Sequence, residues 1–215
     1  MRFSFDPLDP FPLLEDLEGS YEAAKEHSAR VDEFLGFRIN EVEAGLCDRQ
    51  VPWANLPAST LLTPYTELRY LLERLGPLAG ERIFELGSGY SRLAHVLGRH
   101  WPEASYEGAE RVPERAREAE RVLRTRGIFS ARVICADVLT LQPFPEADAY
   151  FLYDLNSDLA GNERVLERLA EEARRRPIRV IGRGRATRTL IERKHPWLSG
   201  VRDPEHCGNF SIYRS

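Results

Sequence analysis

Residues 82–92 constrain this chain more than any other stretch: Arg82-Ile83-Phe84-Glu85-Leu86-Gly87-Ser88-Gly89-Tyr90-Ser91-Arg92. A short apolar run carries an acid near its end and passes at once into a Gly-x-Gly turn. Residues 91–100 then show helical spacing. Strand, acidic tip, glycine turn and helix make a unit that grips a nucleoside-like ligand. Gly87 and Gly89 let the main chain approach such a ligand with no Cβ in the way. In an open α/β sheet the ligand lies beyond the C-terminal ends of the strands.

The rest of the chain after residue 80 continues the alternation. Strands are predicted at 82–86, 104–109, 131–136, 149–153 and 178–182. Helices are predicted at 91–100, 113–126, 161–175 and 186–195, and two final strands fall between 200 and 213. Pro113 opens the second helix and Gly127 closes it. Such alternation predicts an α/β fold, a Rossmann-like three-layer sandwich with a mostly parallel sheet covered on both faces. The first 78 residues read differently. Residues 1–18 are rich in proline and aromatics, residues 14–37 have helical periodicity interrupted at Gly19-Ser20, and residues 45–64 are loop-like. Residues 66–75 form an amphipathic helix, with Leu68, Leu71, Leu72 and Leu75 on one face. The expectation is an N-terminal helical cap over 1–78 and a ligand-binding domain over 79–215.

What stands at each strand tip defines the chemistry. The first four strands end near Glu85, Glu110, Asp137 and Asp154. Glu110 follows Gly89 by 21 residues, the interval that puts a carboxylate at the next strand tip to accept from two ribose hydroxyls. Asp137 suits an exocyclic purine amine. Glu85 and Asp154 suit a cationic centre, and Asp154 is also a candidate general base. A row of acids fits a ligand with ribose, adenine and a positive charge better than one with phosphates, which want amides and basic side chains. A dinucleotide site would carry a third glycine where Arg92 stands.

These segments resemble the class I S-adenosylmethionine-dependent methyltransferases over residues 60–215. Phe84–Gly89 is similar to that family's acidic, glycine-rich first motif, with Ser91 in place of its last glycine. Tyr106–Glu110 resembles its second motif, Ala136-Asp137-Val138 its third, and Tyr153-Asp154 lies where its fourth falls. Thr63-Pro64-Tyr65 resembles the segment that folds over the methionine part. The resemblance implies a seven-stranded sheet with a final antiparallel strand and S-adenosyl-L-methionine as cofactor. It implies cofactor contacts from Thr63, Tyr65, Glu85, Gly87, Ser88, Gly89, Glu110, Arg111, Asp137, Val138 and Asp154, with Asp154 also catalytic. The acceptor is a small molecule or a protein side chain. Asp154-Leu155-Asn156-Ser157 lacks the Asn/Asp-Pro-Pro-Tyr sequence of nucleic-acid amino-methyltransferases, which argues against a base as acceptor. A cofactor-binding module without catalysis and a nicotinamide-dependent enzyme are the alternatives.

Composition narrows the partners. The net charge of −4 argues against nucleic-acid binding through a bulk field. The charge is uneven: residues 1–80 hold 14 acids and 7 bases, residues 81–215 hold 20 and 23. Arginine outnumbers lysine 28 to 2. Arg174 to Arg188 contains an arginine-rich run whose interleaved acids read as solvated helix faces rather than as an anion-binding surface. No apolar run approaches the roughly 18 residues of a membrane span, and no signal peptide opens the chain, so a cytoplasmic location is expected. Cys47, Cys135 and Cys207 and the five histidines show no metal-ligand spacing. Cys135, in an apolar run, is expected in the core.

Overall fold

A computed structural model describes residues 3–15, 21–46, 62–153 and 159–215. Its centre is a seven-stranded sheet in the order β3-β2-β1-β4-β5-β7-β6. The parallel strands are β1 (Arg82–Leu86), β2 (Ser105–Glu110), β3 (Ala131–Cys135), β4 (Ala149–Leu152) and β5 (Arg179–Arg183). β7 (Phe210–Arg214) runs antiparallel to β5, and β6 (Glu205–Cys207) antiparallel to β7. The mostly parallel sheet read from the sequence is observed, and the five predicted parallel strands fall within one residue of their positions.

The period of two along each strand sends alternate side chains to opposite faces. Ile83, Tyr106, Phe151 and Ile181 face one way. They pack against α3 (Tyr65–Leu75), α4 (Arg92–His100) and α5 (Pro113–Thr125) through residues such as Leu68, Leu93 and Val122. Phe84, Leu86, Tyr150 and Val180 face the other way. They meet Val165 and Leu169 of α6 (Leu159–Ala173) and Ile191 of α7 (Arg185–Lys194). The strand order reverses between β1 and β4, and this switch point is where an open α/β sheet presents its cleft.

The N-terminal region packs on the first face. α1 (Tyr21–Leu35) and α2 (Ile39–Ala44) precede α3. The four leucines of α3 point inward as their spacing requires, and Phe11, Val31 and Leu35 join them in one apolar cluster with Ile83 and Leu93. That cluster runs without a break past residue 78. Each fully buried leucine stabilises the packing by about 1.5–3 kcal/mol. Polar clasps add specificity: Arg38 bonds to Glu118 of α5 through its amide at 2.7 Å, and Arg126 reaches the carbonyls of Phe34 and Leu35.

One expectation is corrected. Cys135 is exposed, not a core residue. It ends β3, which lies at the edge of the sheet, so its apolar neighbours are only half covered. Cys47 lies outside the described residues. No described helix is long and apolar enough to cross a membrane. Among the described residues no three His, Cys, Asp or Glu side chains gather as a metal site.

Candidate functional site

The turn after β1 is built from left-handed backbone. Gly87, Gly89 and Ser91 have φ of 74°, 55° and 54°. The amides of Gly87 and Ser88 both donate to the Ala109 carbonyl at 2.9 Å, which folds the turn over the tip of β2. Gly108 permits this closeness, since a Cβ there would lie 2.6 Å from both Ser88 Cβ and the Tyr106 hydroxyl. Ser91, at the last-glycine position of the motif, adopts the glycine conformation despite its side chain. That costs about 1 kcal/mol relative to glycine.

Glu110 closes the arrangement. Its Oε2 accepts from the Gly89 amide and its Oε1 from the Val112 amide, both at 2.8 Å. Burial pushes the carboxyl above its ordinary range, and the two amides oppose that push. Each carboxylate oxygen keeps a second lone pair. Asp137 lies after β3, where its Oδ1 accepts from the Leu139 amide at 2.9 Å and its Oδ2 stands 3.7 Å from exposed Arg111. Val138 is buried in the second core, and its carbonyl accepts from Arg168 at 2.8 Å. The order β3-β2-β1 thus brings Asp137, Glu110 and Glu85 to neighbouring strand ends. Asp154, the fourth acid, lies outside the described residues.

Arg92 explains why no third glycine follows. Its guanidinium is buried and ion-paired to Asp32 of α1, donates to the Thr63 carbonyl at 3.0 Å, and lies over the Tyr65 ring. Tyr65 is fully buried, and its hydroxyl donates to Asp32 at 2.9 Å. Thr63 and Tyr65 were expected to face the cofactor. The structure gives the Thr63 carbonyl and the Tyr65 hydroxyl to this clamp between the N-terminal region and the glycine turn. A second clamp joins Tyr90 of the turn to Glu43 at 2.7 Å, with Arg115 on the same carboxylate at 2.8 Å.

Glu85 lies deeper than the other strand-tip acids described. It is 3% exposed on the α3–α4 face, beneath the turn, and accepts from the Tyr106 hydroxyl. Burial, chiefly, raises its pKa to about 8. Burial thus favours the neutral carboxyl.

Tyr153 lies beside Glu85, while Glu67 stands on the first turn of α3 and Arg183 at the end of β5. Tyr153, just past β4, brings its buried hydroxyl toward Glu85 without an aligned hydrogen bond. Glu67, on the first turn of α3, is 7% exposed, and its Oε2 has no partner among the described residues. Arg183 ends β5 with its guanidinium 5.8 Å from the Phe210 ring, and Tyr153 packs on that ring at the same distance. Arg183 is the cation that acts most strongly on Glu67, with Lys25 next, and both Arg183 and Glu67 act on Tyr153. Burial raises the Glu67 pKa against these cations.

No family model matches the chain, and no curated protein matches it. Solved structures do. TrmN from Thermus thermophilus superposes with a TM-score of 0.54 at 18% identity over 71% of this chain, which spans only 48% of TrmN. Precorrin-6Y C5,15-methyltransferase from Geobacter metallireducens GS-15 gives 0.53 at 16% identity, covering 73% of this chain and 90% of that one. An E81Q mutant of MtNAS gives 0.50 at 19% identity and covers 98% of this chain and 81% of its own. The fold is that of the class I S-adenosylmethionine-dependent methyltransferases.

Proposed function

We propose that the chain is an S-adenosylmethionine-dependent methyltransferase acting on a small-molecule or protein acceptor. The observation that carries this reading is the Gly89–Glu110 junction at the switch point of the sheet. A left-handed glycine turn without Cβ atoms lies against a carboxylate whose free lone pairs suit two ribose hydroxyls. The residues fit the cofactor in kind. Glu110 would hold the ribose, Asp137 and Val138 would border the adenine, and Gly87 and Gly89 would underlie the amino-acid end. S-adenosylmethionine, when bound, supplies an electrophilic methyl group on a cationic sulfur. The protein contributes by binding, orienting and shielding the reactants. Arg92, buried and clamped to Asp32, occupies the place of the dinucleotide fingerprint's third glycine.

Calorimetry tests the reading. S-adenosylhomocysteine is expected to bind in the micromolar range, and Glu110→Ala to weaken it about tenfold or more, the loss of a charged, bidentate contact. Undiminished affinity in that variant would show that Glu110 does not hold the ribose. Transfer of label from the cofactor in a cell extract separates an enzyme from a binding module.

A further inference from the structure

We propose that the second face of the sheet, where it lies open at the N-terminal ends of β1, β2 and β3, is an interface. Its occupant is a second copy of this chain, docked across a two-fold axis.

The connection from β3 to β4 leaves this face bare. The other parallel crossovers each carry a helix: α4 from β1 to β2, α5 from β2 to β3 and α6 from β4 to β5. Residues 136–148 join β3 to β4 without one. Strands of a parallel sheet are ordinarily covered on both faces. Here cover reaches only the C-terminal halves of β2 and β3, where Ala109 and Ile134 join the core with Val138. Below them Phe84, Glu107 and Arg132 stand in register across the three strands, and Arg132 is exposed. A groove of about 400 Å³ opens there, with Phe84, Phe129, Ala131 and Pro145 in its lining.

The edge of the sheet is a poorer place to dock. Unpaired backbone groups on an edge strand invite an added strand. The middle amide of β3, on Val133, is already taken by the Glu120 carboxylate of α5. A partner therefore meets side chains on the face rather than main chain at the edge.

Two features of the patch select a copy of itself. The first is charge. Arg132 pairs with Glu107 across the strands, and Arg82 pairs with Glu146 at 3.1 Å. The two bases and two acids cancel, so the patch has no net field to draw a nucleic acid or an acidic peptide. Its mixed signs match the same patch turned through a two-fold axis, which brings Glu107 of one copy to Arg132 of the other. The second feature is shape. Phe129 is 86% exposed and borders the groove. A knob and a hole on one patch permit an isologous contact: each copy's phenyl ring enters the other's groove, and the assembly closes at two chains. An exposed phenylalanine has much apolar area to gain from such burial. The patch lies at the opposite ends of the strands from the glycine turn, so both clefts stay open in the dimer. Dimerisation is thus independent of the methyltransferase reading.

Sedimentation velocity of the whole chain over a concentration series is the test. A monomer–dimer equilibrium is expected. Phe129→Asp is expected to abolish the dimer. Arg132→Glu is expected to weaken it about tenfold or more, because like charges then meet across the axis. Both side chains are largely exposed, so both variants are expected to fold, and circular dichroism checks this. Exchanging the pair, with Glu107→Arg and Arg132→Glu in one chain, is expected to recover the dimer. Mixed with the wild type, the exchanged chain is expected to assort with itself, because unlike copies would set acid on acid and base on base.

A chain that is monomeric at every concentration overturns the proposal and leaves the face to a different protein. A dimer untouched by Phe129→Asp and Arg132→Glu overturns it as well, since another surface would then hold the copies together. So does an exchanged chain that stays monomeric.

Discussion

Helix α3 contributes to two polar clusters from a single turn, Tyr65 to one and Glu67 to the other. Around Tyr65 every partner is supplied by the chain. Asp32 accepts from Arg92 and from the Tyr65 hydroxyl, and Arg92 spends another N–H on the Thr63 carbonyl. Glu67, by contrast, buries a carboxylate oxygen that has no hydrogen bond among the described residues. The same helix gives opposite degrees of satisfaction at two of its residues. The first cluster is complete as folded and holds the N-terminal region in place.

Asp32→Ala tests the first half of this contrast and has the largest expected effect. It leaves Arg92 buried and uncompensated, and removal of one partner from such a pair costs about 3–5 kcal/mol. Urea denaturation measures it, and a loss below about 1 kcal/mol would break the contrast, as for an exposed pair.

Glu85→Gln tests the neighbour of the second cluster through pH. Burial raises the folded carboxyl's pKa to about 8, from an ordinary value of 4.5. Between these values the folded state holds a proton that the unfolded state has released, so stability falls as pH rises. The slope approaches about 1.4 kcal/mol per unit for one proton. Glutamine mimics the neutral form, so the variant is expected to show a flatter profile between pH 5 and 8 and higher stability at pH 8. A profile parallel to the wild type would place the carboxyl in contact with water.

Glu67→Gln should change sign relative to Asp32→Ala. Removing a buried carboxylate that lacks a partner is expected to leave stability unchanged or raise it by about 1 kcal/mol. A loss comparable to that of Asp32→Ala would show that Glu67 is structural. The smallest effect belongs to Ser91→Gly, which relieves a left-handed non-glycine residue and is expected to gain about 0.5–1 kcal/mol. A differential melting curve resolves that shift.

The two clusters also mark where the amino-acid sequence was legible. The glycine turn, Glu110 and the strand alternation are local or evenly spaced, and local backbone needs print themselves in residue type. Left-handed turns favour glycine, and a strand buried on both faces favours unbroken apolar runs. Arg92 was legible only as the wrong residue for a dinucleotide; its partner Asp32 lies 60 positions earlier. Glu67 read as one polar position on an amphipathic helix, because nothing near it in sequence announces Arg183 or Tyr153. Arg183 was submerged in an arginine-rich composition, where one unpaired cation looks like every paired one. Cys135 was misread because an edge strand carries the apolar residues of a central one while covering only part of them. Tyr65 was assigned to the cofactor from its place in a motif, and its neighbours in space set its hydroxyl on Asp32.

Arg92 begins α4 immediately after the glycine turn, so one residue belongs to both the floor of the cleft and the N-terminal clamp. Asp32 of α1 thus holds the first residue of α4, three positions from Gly89. Replacing the N-terminal region with that of another protein would therefore retune the turn itself.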